Sequence, residues 1–576
     1  MSGVALEVLS SCNCYTPVTT STSHLYSVKR PPRWPSSTFR GHSHLLLPVV
    51  VLNGSMNAIS TLQKKSGSRQ YLEAPVHATV FTIRAIFWGP RKTVEPQEMD
   101  VLLGTFALTG SDPEGLVKED KLKPRKISLS VISSISQVSS EGWDACALDA
   151  TGAERLNPFI THGFLSSLEE SKSAVKETGW SPCHIIARDE FERIVGVVPL
   201  YLKSHSYGEF VFDHSWADAY YSYGSQYYPK LQCCVPFTPV TGQRILLLST
   251  WFKDQVFDKL VWALKELTAK LQVSSLHITF ASEDEWEQMK KHEFLPRMGM
   301  QYHWINRNYR NFDEFLMDMK QSKRKNVRQE RKKISSQKLT LKRLRGDEIK
   351  AKHWDSFYKF YRNTTDNKWG RAFLTRDFFH IVGGKMGDRV LLVVAEEGDE
   401  IVAGALNFIG GDALYGRLWG CLPHVYYPSL HFEACYYQAI EAAIEMNLQK
   451  VEAGAQGEHK IQRGYLPVTT YSCHYILDEG FRQAIGEFLM RETDQACCFH
   501  LGYILMSHYL LGCLESGPLD FLSFEFFGGG SSSSTSSILH SCTTCESKWH
   551  HHHPNMLTPT SFSLHMKGTN LNLARK

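Results

Sequence analysis

Apolar residues in the middle of the chain form paired runs that flank short charged segments. Cys183–Arg188 and Ile194–Leu202 form the first pair, and Val390–Ala395 and Ile401–Ile409 form the second. Apolar runs rich in β-branched residues around a short polar turn are typical of buried β-hairpins. The pattern therefore predicts two hairpins in distant parts of the chain.

Each predicted hairpin is followed, further along the chain, by an amphipathic helix and a short strand. Apolar residues recur three and four positions apart in Phe257–Leu271 and in Phe432–Leu448, which places them on one face of a helix. Short strand-like segments follow at Ser275–Phe280 and Lys450–Ala453. The same order of elements therefore occurs twice.

Helical segments are also predicted at the beginning of each copy. Helices, an antiparallel hairpin with a third strand, a helix and a closing strand together describe a mixed α/β unit. We therefore predict two such domains, at 128–310 and 311–493. The first copy contains extra residues, which fall in the aromatic segment 210–250. The early helices are expected at Pro158–Glu177, Phe312–Ile334, Asp347–Arg362 and Thr375–Gly383.

The N-terminal 94 residues have the composition of a targeting segment. They contain only Glu7 and Glu73 as acidic residues, against ten Lys and Arg, and their beginning is rich in Ser and Thr. This composition, without strong amphipathic periodicity, favours a plastid transit peptide and a location in the chloroplast stroma. A disordered extension without a targeting role is the alternative. Residues 95–127 are charged and aperiodic, which predicts a linker.

The C-terminal residues 494–576 lack this pattern and are predicted to form an irregular, low-complexity tail. The apolar stretch 497–514 has the length of a membrane span, but its histidines and glycines argue against stable membrane insertion. A transmembrane anchor is the alternative there. Cys542 and Cys545 form a lone CxxC pair, whereas a structural zinc site usually has four ligands at defined spacing. We therefore predict no metal site.

The overall charge gives little support for a nucleic-acid or membrane partner. The formal net charge is +4 for 576 residues, so such a partner would have to recognise a local patch. The 14 cysteines are scattered, which is typical of a protein in a reducing compartment. The strongest charged segment is Lys320–Arg345, with twelve basic residues and only Glu330 as an acid. It is interpreted as a solvated helix face, a contact for tRNA or another polyphosphate, or a cradle for CoA.

Five long segments of the chain are distinctive. They are FDHSWADAYYSYGSQYYPKL at 212–231, VPFTPVTGQRIL at 235–246, LYGRLWGC at 414–421, LHFEACYYQAIEAAIE at 430–445 and EAGAQGEHKIQRGYLPVTTYSCH at 452–474. These segments resemble the peptidoglycan biosynthesis/recognition proteins, a FemAB-like family. The resemblance implies a tandem acyl-CoA N-acyltransferase (GNAT-like) α/β fold, and with it an acyl-CoA donor and an amine acceptor that is a small molecule or a peptide. FemAB-like enzymes use aminoacyl-tRNA as donor, so tRNA is a second partner by analogy.

The segment after the last predicted strand concentrates groups suited to acyl transfer. Glu452 or Glu458 is the predicted general base, with His459 as the alternate. The glycines free backbone N–H groups to approach a pyrophosphate, although their spacing departs from the usual loop of CoA-dependent members. A simple glycine-rich turn and a surface ion pair are the alternatives. The predicted cofactor-binding residues are Gly454, Gln456, Gly457, Lys460, Arg463 and Gly464.

Further candidates for substrate binding lie in both copies. Tyr415, Arg417 and Trp419 alternate, and so are expected on one face of a strand. In the first copy, aromatic rings interleaved with acids suit an amine or a sugar, although simple packing is the alternative. For Glu433 the alternative is an interaction with the helix dipole. The remaining candidates are Asp213, Trp216, Asp218, Tyr223, Arg244, His431 and Glu433.

These observations favour an N-acyltransferase that transfers an acyl or aminoacyl group to an amine of an unidentified acceptor. Two other functions fit parts of the pattern. A non-catalytic protein would recognise a glycan or a peptide through the aromatic segment. An RNA-contacting protein would use the basic helix 320–333.

Overall fold

The described part of the chain contains a five-stranded antiparallel β-sheet and an eleven-stranded mixed β-sheet, with helices packed against them. The computed structural model describes residues 102–108, 125–369, 372–423, 426–455 and 457–493. All of these residues belong to one compact unit, Phe87–Lys576. The predicted transit peptide, the apolar stretch, the CxxC pair and the tail lie outside the described residues. The predicted class, a mixed α/β protein with helices flanking its sheets, is confirmed.

The first half of the described chain supplies ten strands and five α-helices. The strands are β1 (Leu102–Ala107), β2 (Lys126–Ile132), β3 (Trp180–Pro182), β4 (His184–Asp189), β5 (Ile194–Val198), β6 (Leu200–Lys203), β7 (Lys230–Cys233), β8 (Leu246–Leu247), β9 (Ser275–Ala281) and β10 (Leu295–Ile305). The helices are α1 (Ser140–Thr151), α2 (His162–Glu170), α3 (His214–Ser222), α4 (Lys253–Lys270) and α5 (Glu283–Lys291).

The second half supplies six strands and six α-helical segments. The strands are β11 (Thr340–Arg345), β12 (Val390–Glu397), β13 (Glu400–Ile409), β14 (Ala413–Cys421), β15 (Lys450–Glu452) and β16 (Leu466–Ile476). The helices are α6 (Phe312–Met317), α7 (Gln321–Ser335), α8 (Ala351–Trp369), α9 (Arg376–Met386), α10 (Leu430–Phe432) and α11 (Gln438–Glu445). The π-helical segment Glu433–Tyr437 joins α10 to α11, and the 3-10 helix Glu458–Arg463 follows β15.

Both predicted hairpins are confirmed, because β4 pairs antiparallel with β5 and β12 with β13. The predicted strand Ile194–Leu202 is nevertheless two strands. Pro199 divides it into β5 and β6, which pair in different sheets, since proline cannot donate a ladder hydrogen bond. The predicted linker also contains a strand, as β1 pairs with β2 through Phe106↔Ile127.

The predicted helices are confirmed in position but differ in extent. Phe312–Ile334 is divided into α6 and α7. Asp318 lies between them, and its carboxylate accepts hydrogen bonds from the Arg307 guanidinium at 3.0 Å and the Tyr309 hydroxyl at 2.6 Å. Pro158–Glu177 contains only α2 and short 3-10 turns. α1 was not predicted, although the side chain of Ser139 caps it by accepting from the backbone N–H of Gly142.

The strand order shows that the chain is built from two similar halves. Each half contains an antiparallel meander and then a parallel pair, β7 with β9 in the first half and β14 with β15 in the second. The last strand of each half pairs with a strand of the other half. β10 pairs with β15, and β16 pairs with β9. β10 and β16 also pair with each other. The two predicted domains are therefore joined by one continuous sheet.

The extra residues of the first copy lie on both sides of β7, at 204–229 and 234–252, and include α3 and β8. A hydrophobic core then fixes the two halves against each other. The Phe159 ring of the first half lies 5.0 Å from Phe408 and 5.2 Å from Tyr415 of the second. Burying a side chain of this size stabilises a fold by about 1.5–3 kcal/mol. β14 is consequently held firmly beside the first half.

Candidate functional site

In the second half two parallel strands separate, and we call this place the second parting. β14 and β15 pair over three residue pairs, ending at Tyr415↔Glu452. β14 continues to Cys421, whereas the chain after Glu452 turns into the 3-10 helix. Gly454 and Gly457 make that turn with φ of 80° and 121°, which glycine adopts without steric cost. Side chains therefore take the place of backbone hydrogen bonds between the two segments.

Arg417 occupies a β-bulge at the second parting. Leu406 pairs with Leu418 and Asn407 pairs with Gly416, so that Arg417 is an extra residue in β14. Bulges of this kind are common beside active sites, where they redirect a side chain.

The bulge corrects the prediction that Tyr415, Arg417 and Trp419 share one face of a strand. One extra residue reverses the alternation of side chains. Tyr415 pairs with Phe408, whereas Trp419 pairs with Ala405, an odd number of positions away along β13. Tyr415 and Trp419 consequently point to opposite faces of the sheet.

The guanidinium group of Arg417 is buried and lies among aromatic rings. Its side chain is 6% exposed, and its Cζ lies 4.9 Å from the Phe159 ring centre and 5.4 Å from that of Tyr415. Nη2 lies 3.7 Å from Glu452 Oε2, which is too long for a hydrogen bond. Among the described residues, none of the three guanidinium nitrogens has a hydrogen-bond partner.

Glu452, one of the predicted bases, is buried at the end of β15. Its Oε1 accepts from the Lys450 amine at 3.0 Å, and its Oε2 lies 4.0 Å from His303 Nε2. Burial raises the carboxyl pKa, but His303, Lys450 and Arg417 together outweigh it and leave the pKa below its ordinary value. A carboxylate with a lowered pKa is a weak base, so Glu452 acts chiefly as a fixed negative charge.

Lys460 is the group at the second parting with a pKa close to neutrality. Its side chain is buried, and its Nζ donates a hydrogen bond to the Gly454 carbonyl at 3.1 Å. Burial, reinforced by the charge of Arg417, lowers its pKa to about 7. A large fraction of these amines is therefore neutral near pH 7 and can accept a proton.

The loop does not present the positive charge expected of a pyrophosphate cradle. Lys460 points into the protein, and Arg463 donates to Glu330 at 2.9 Å and to the His459 carbonyl at 2.8 Å. The Arg463 Cζ also lies 3.4 Å from the centre of the Phe432 ring. Both predicted phosphate-binding cations are thus engaged inside the protein, and they do not fit CoA.

The other predicted residues of this loop divide into three groups. Gly464 has a φ of 84°, and a Cβ there would lie 2.8 Å from the Phe315 ring, so Gly464 permits close packing. A Cβ on Gly454 would meet no atom within 4 Å, so open space adjoins that residue. Gln456 and the side chain of Glu458 lie outside the described residues.

Aromatic and imidazole rings border the second parting. Trp419 lies 5.4 Å from His431, and the hydroxyl of Tyr436 lies 2.9 Å from His459 Nε2. Burial, with smaller contributions from nearby positive charges, lowers the pKa of His431 to about 3 and that of His459 to about 4. Both rings are neutral at pH 7, and His459 is consequently a weaker base than Lys460.

Glu433 has a structural partner instead of the predicted substrate. It is buried at the start of the π-helical segment, where the Arg331 guanidinium lies 3.0 Å away and Gln438 donates to it at 2.8 Å. Arg331 also contacts Glu441 at 3.0 Å. These ion pairs attach α7 to the helix beside the second parting. Arg331 therefore does not contribute a free charge to the predicted basic helix 320–333.

Asp213 and Trp216, two predicted binding residues of the first half, are buried in a polar network. Asp213 accepts a hydrogen bond from the Tyr227 hydroxyl at 2.6 Å and another from Lys230. The Trp216 ring packs edge-on against His474 at 4.9 Å. The prediction that these two side chains face a substrate is corrected, because their surroundings are protein groups.

Asp218 and Tyr223 are exposed at α3, where Tyr223 is 74% accessible. Neither side chain lies at the second parting, and their role in binding stays a prediction.

Arg244 occupies the equivalent separation between β7 and β9, which we call the first parting. It is fully buried, and its guanidinium donates to the carbonyls of Thr279 and Gly242 at 3.0 Å, of Gln243 at 3.1 Å and of Val240. These bonds occupy the guanidinium, so the prediction that Arg244 binds a substrate is corrected. Arg244 is thus a structural residue.

Two clefts are prominent in the described residues. One has a volume of about 220 Å³ and lies between α7 and the loop after β15, lined by Glu330, Lys333, Tyr437, Gln462 and Arg463 among others. The other, of about 390 Å³, lies against α2, and none of its lining residues belongs to the second parting. The smaller cleft is therefore the one that adjoins the predicted loop.

Within the described chain, no three His, Cys, Asp or Glu side chains are grouped in a way that could hold a metal ion. None of the helices in that part of the chain combines the length and apolar character needed to cross a membrane.

Sequence reasoning missed several residues that form the second parting. His303 and Gln301 come from β10 of the first half, where His303 Nε2 lies 3.2 Å from Gln301 Oε1. Phe159, also from the first half, packs against Arg417. No local pattern marks these residues, because strand exchange and core packing bring them to a loop distant in the chain.

One protein family matches most of the described chain. Residues 134–498 match the FemAB-like family, described as peptidoglycan biosynthesis/recognition. The chain has no match among curated proteins.

Several solved structures are similar at low sequence identity. A FemX crystal structure is 12% identical, with 61% of this chain and 98% of that chain covered and a TM-score of 0.39. The C-terminal domain of a putative lysylphosphatidylglycerol synthetase from Agrobacterium fabrum is 9% identical, with 62% and 97% covered and a TM-score of 0.38. A tandem GNAT protein from the clavulanic acid biosynthesis pathway is 11% identical, with 61% and 98% covered and a TM-score of 0.35.

Proposed function

The chain belongs to the FemAB-like family of peptidoglycan biosynthesis and recognition, and from that membership we propose that it is an N-acyltransferase. It transfers an acyl or aminoacyl group to an amine held at the second parting. The observation that carries this proposal is geometric. Two parallel strands separate beside a buried lysine, Lys460, next to open space at Gly454.

Amide formation requires an amine that loses its proton as it attacks the acyl carbon. In the proposed reaction the C–N bond forms while the bond between the acyl carbon and its leaving group breaks. The proton of the attacking nitrogen passes to Nζ of Lys460, whose pKa of about 7 suits it to accept a proton at neutral pH. A positioned base of this kind contributes roughly 10²–10⁴-fold to the rate.

The donor is proposed to be an acyl-CoA, with an aminoacyl-tRNA as the alternative. Because Lys460 and Arg463 do not fit a pyrophosphate, we assign no residue to CoA and derive no step through it. The exposed face of α7, with Lys325, Arg328 and Lys332, supports the tRNA alternative through its attraction to phosphates.

A direct test is to detect the amide product by mass spectrometry. The whole protein is incubated with a mixture of small amines and peptides, and with acetyl-CoA, longer acyl-CoAs or charged tRNA as donor. We expect product with at least one donor, and a loss of about 100-fold or more in rate for Lys460→Met. Lys253→Met, at an exposed position on α4, is the matched control and should retain full activity.

Product formation that is unchanged in Lys460→Met would remove the proposed base. Absence of product with every donor, from a folded protein, would count against transfer itself and favour the binding function below.

A binding protein is the second candidate, because one surface carries exposed aromatic rings. Phe212, Tyr221 and Tyr223 are 55%, 52% and 74% accessible. Such rings suit the apolar faces of a sugar or the side chains of a peptide. Titration with glycan fragments, followed by tryptophan fluorescence, would detect this function, and Tyr223→Ala should weaken it.

We also propose that residues 1–94 direct the protein to the chloroplast. Their acid-poor, hydroxyl-rich composition supports this location. A fluorescent protein fused behind these residues should accumulate in plastids, and a cytosolic signal would exclude a transit peptide.

A further inference from the structure

Arg417 has a buried charge that the protein itself leaves without hydrogen bonds. Among the described residues it alone has three buried guanidinium nitrogens that lack a hydrogen-bond partner. A buried, ionised group in this condition is costly, and in native proteins it usually has a specific reason. The free donors of Arg417 therefore point to a ligand.

The two nearest rings lie on one side of Arg417. The ring centres of Phe159 and Tyr415 lie 4.9 Å and 5.4 Å from Cζ and 5.2 Å from each other, so they do not cover opposite faces of the guanidinium. The N–H bonds of a guanidinium lie in one plane and point outward from its edge. A planar, two-oxygen acceptor matches that edge with paired, parallel hydrogen bonds.

Arg244 and Arg331 are arginines whose guanidinium groups have protein partners. Arg244 is fully buried and donates to four backbone carbonyls, and the half-buried Arg331 contacts two carboxylates. The second parting offers Arg417 only Glu452 at 3.7 Å, and that carboxylate already accepts from Lys450.

We propose that Arg417 binds the carboxylate of the acceptor substrate, which is therefore an amino acid or a peptide that carries both an amine and a carboxylate. This inference rests on the proposed function, because Lys460 would accept the proton of the same molecule's amine. Arg417 and Lys460 are close enough for their charges to interact.

A carboxylate fits this position better than a phosphate. Glu452 lies beside Arg417 and repels a second negative charge, and this repulsion is stronger for a dianion than for a monoanion. Lys450 is already engaged by Glu452, and Lys460 is largely neutral near pH 7 and donates to Gly454. The site therefore compensates about one negative charge.

The test compares two probes that differ only at the carboxylate. Glycylglycine and glycylglycinamide are added to the whole protein at millimolar concentration, together with separate samples of orthophosphate and pyrophosphate. We expect glycylglycine to raise the melting temperature and the amide to have no effect, since a ligand that binds the folded state stabilises it. Binding should weaken about 10–100-fold in Arg417→Met, because a charge-assisted hydrogen-bond pair is lost.

A second variant keeps the test informative if Arg417→Met folds poorly. Arg417→Lys retains the charge but loses the paired donors, so its affinity for glycylglycine should be at least about tenfold lower. Arg491→Met, at an exposed position, should bind like the unmodified protein.

Three outcomes would overturn the inference. They are stabilisation by phosphate or pyrophosphate but not by glycylglycine, equal stabilisation by both dipeptide probes, and binding unchanged in both Arg417 variants.

The transfer assay separates this inference from the proposed function. If glycylglycine binds through Arg417 but no amide forms with any donor, the proposed function fails and the carboxylate site stands. If amides form as readily on glycylglycinamide as on glycylglycine, and Arg417→Met does not slow the reaction on glycylglycine, transfer stands and the carboxylate site fails.

Discussion

The two halves of the protein contain the same separation of parallel strands, but they complete it in opposite ways. At the first parting, Arg244 is buried and donates to four backbone carbonyls. At the second parting, Arg417 is buried and makes no hydrogen bond within the protein. Arg244 therefore bonds the chain on both sides of the first parting, whereas the guanidinium N–H groups of Arg417 have no partner among the described residues at the second.

The comparison teaches that duplication of a fold need not duplicate a site. The first half has extra chain on both sides of β7, and part of that chain, Val240–Gln243, supplies carbonyls to Arg244. The second half has a shorter connection from β14 to α10. Its parting is bordered by Lys460 and by aromatic and imidazole rings instead.

The largest expected difference concerns stability. Arg244→Met removes four hydrogen bonds and leaves buried carbonyls unpaired, so it should lower the free energy of unfolding by about 3–5 kcal/mol. Arg417→Met breaks no hydrogen bond, and the loss of its attraction to Glu452 is partly offset by the removal of a buried charge, so the free energy of unfolding should fall by less than in Arg244→Met. Urea unfolding followed by circular dichroism measures both. Equal losses of unfolding free energy in Arg244→Met and Arg417→Met would contradict this difference between the two partings.

The next effect is the pH dependence of Lys460. If it acts as a neutral base, the transfer rate should rise with pH below 7 and level off above it. Lys460→Met should remove that dependence along with most of the activity. A rate profile that stays flat from pH 5.5 to about 8.5 would exclude Lys460 as the base.

The same lysine predicts a change in stability with pH. Its folded pKa of about 7 lies below its ordinary value of 10.5, so between these values the unfolded chain binds more protons. The contribution of Lys460 to the free energy of unfolding therefore increases as pH rises through that window, and it decreases as pH drops towards 7. Urea titrations should show that the difference in unfolding free energy between Lys460→Met and the unmodified protein shrinks over the same range.

A smaller effect is expected in the first half, at Asp213. Asp213→Asn weakens the hydrogen bonds from Tyr227 and Lys230 and should lower the free energy of unfolding by about 2–3 kcal/mol. Substrate affinity of the folded variant should be unchanged. A folded Asp213→Asn protein with unaltered stability but weaker substrate binding would restore the role that the sequence suggested.

The smallest effects should come from the exposed aromatic surface. Tyr221→Ala and Tyr223→Ala alter accessible side chains on or next to α3, so the free energy of unfolding should change by less than about 0.5 kcal/mol. Transfer should be unaffected as well. A loss of glycan or peptide affinity in these variants, with the second parting intact, would favour the binding function.

Local patterns were sufficient for most elements of the fold. The hairpins at β4–β5 and β12–β13 and the helices α4 and α9 were predicted because apolar spacing is fixed by the geometry of one element. Predictions were wrong where a single residue interrupts a pattern. Pro199 divides a strand, and Arg417, as the extra residue of a bulge, turns Tyr415 and Trp419 to opposite faces.

The candidate site was predicted only in part. The loop after β15 and Arg417 were both identified from their residue types. The roles that we propose for them differ from the predicted roles. The base was expected at a carboxylate or a histidine, and Lys460 was expected to face a phosphate. Burial decides a lysine's pKa, and burial depends on neighbours that the local sequence does not reveal.

The sequence by itself determined the mixed α/β class, its internal repeat and the family, because these depend on spacing and on long distinctive segments. The tertiary structure alone decided that β10 and β16 exchange places, which brings His303 beside Glu452. It alone also decided that Arg244 is paired and Arg417 is not. Hydrogen-bond satisfaction and desolvation are properties of a packed neighbourhood, so two arginines at similar strand separations have different surroundings.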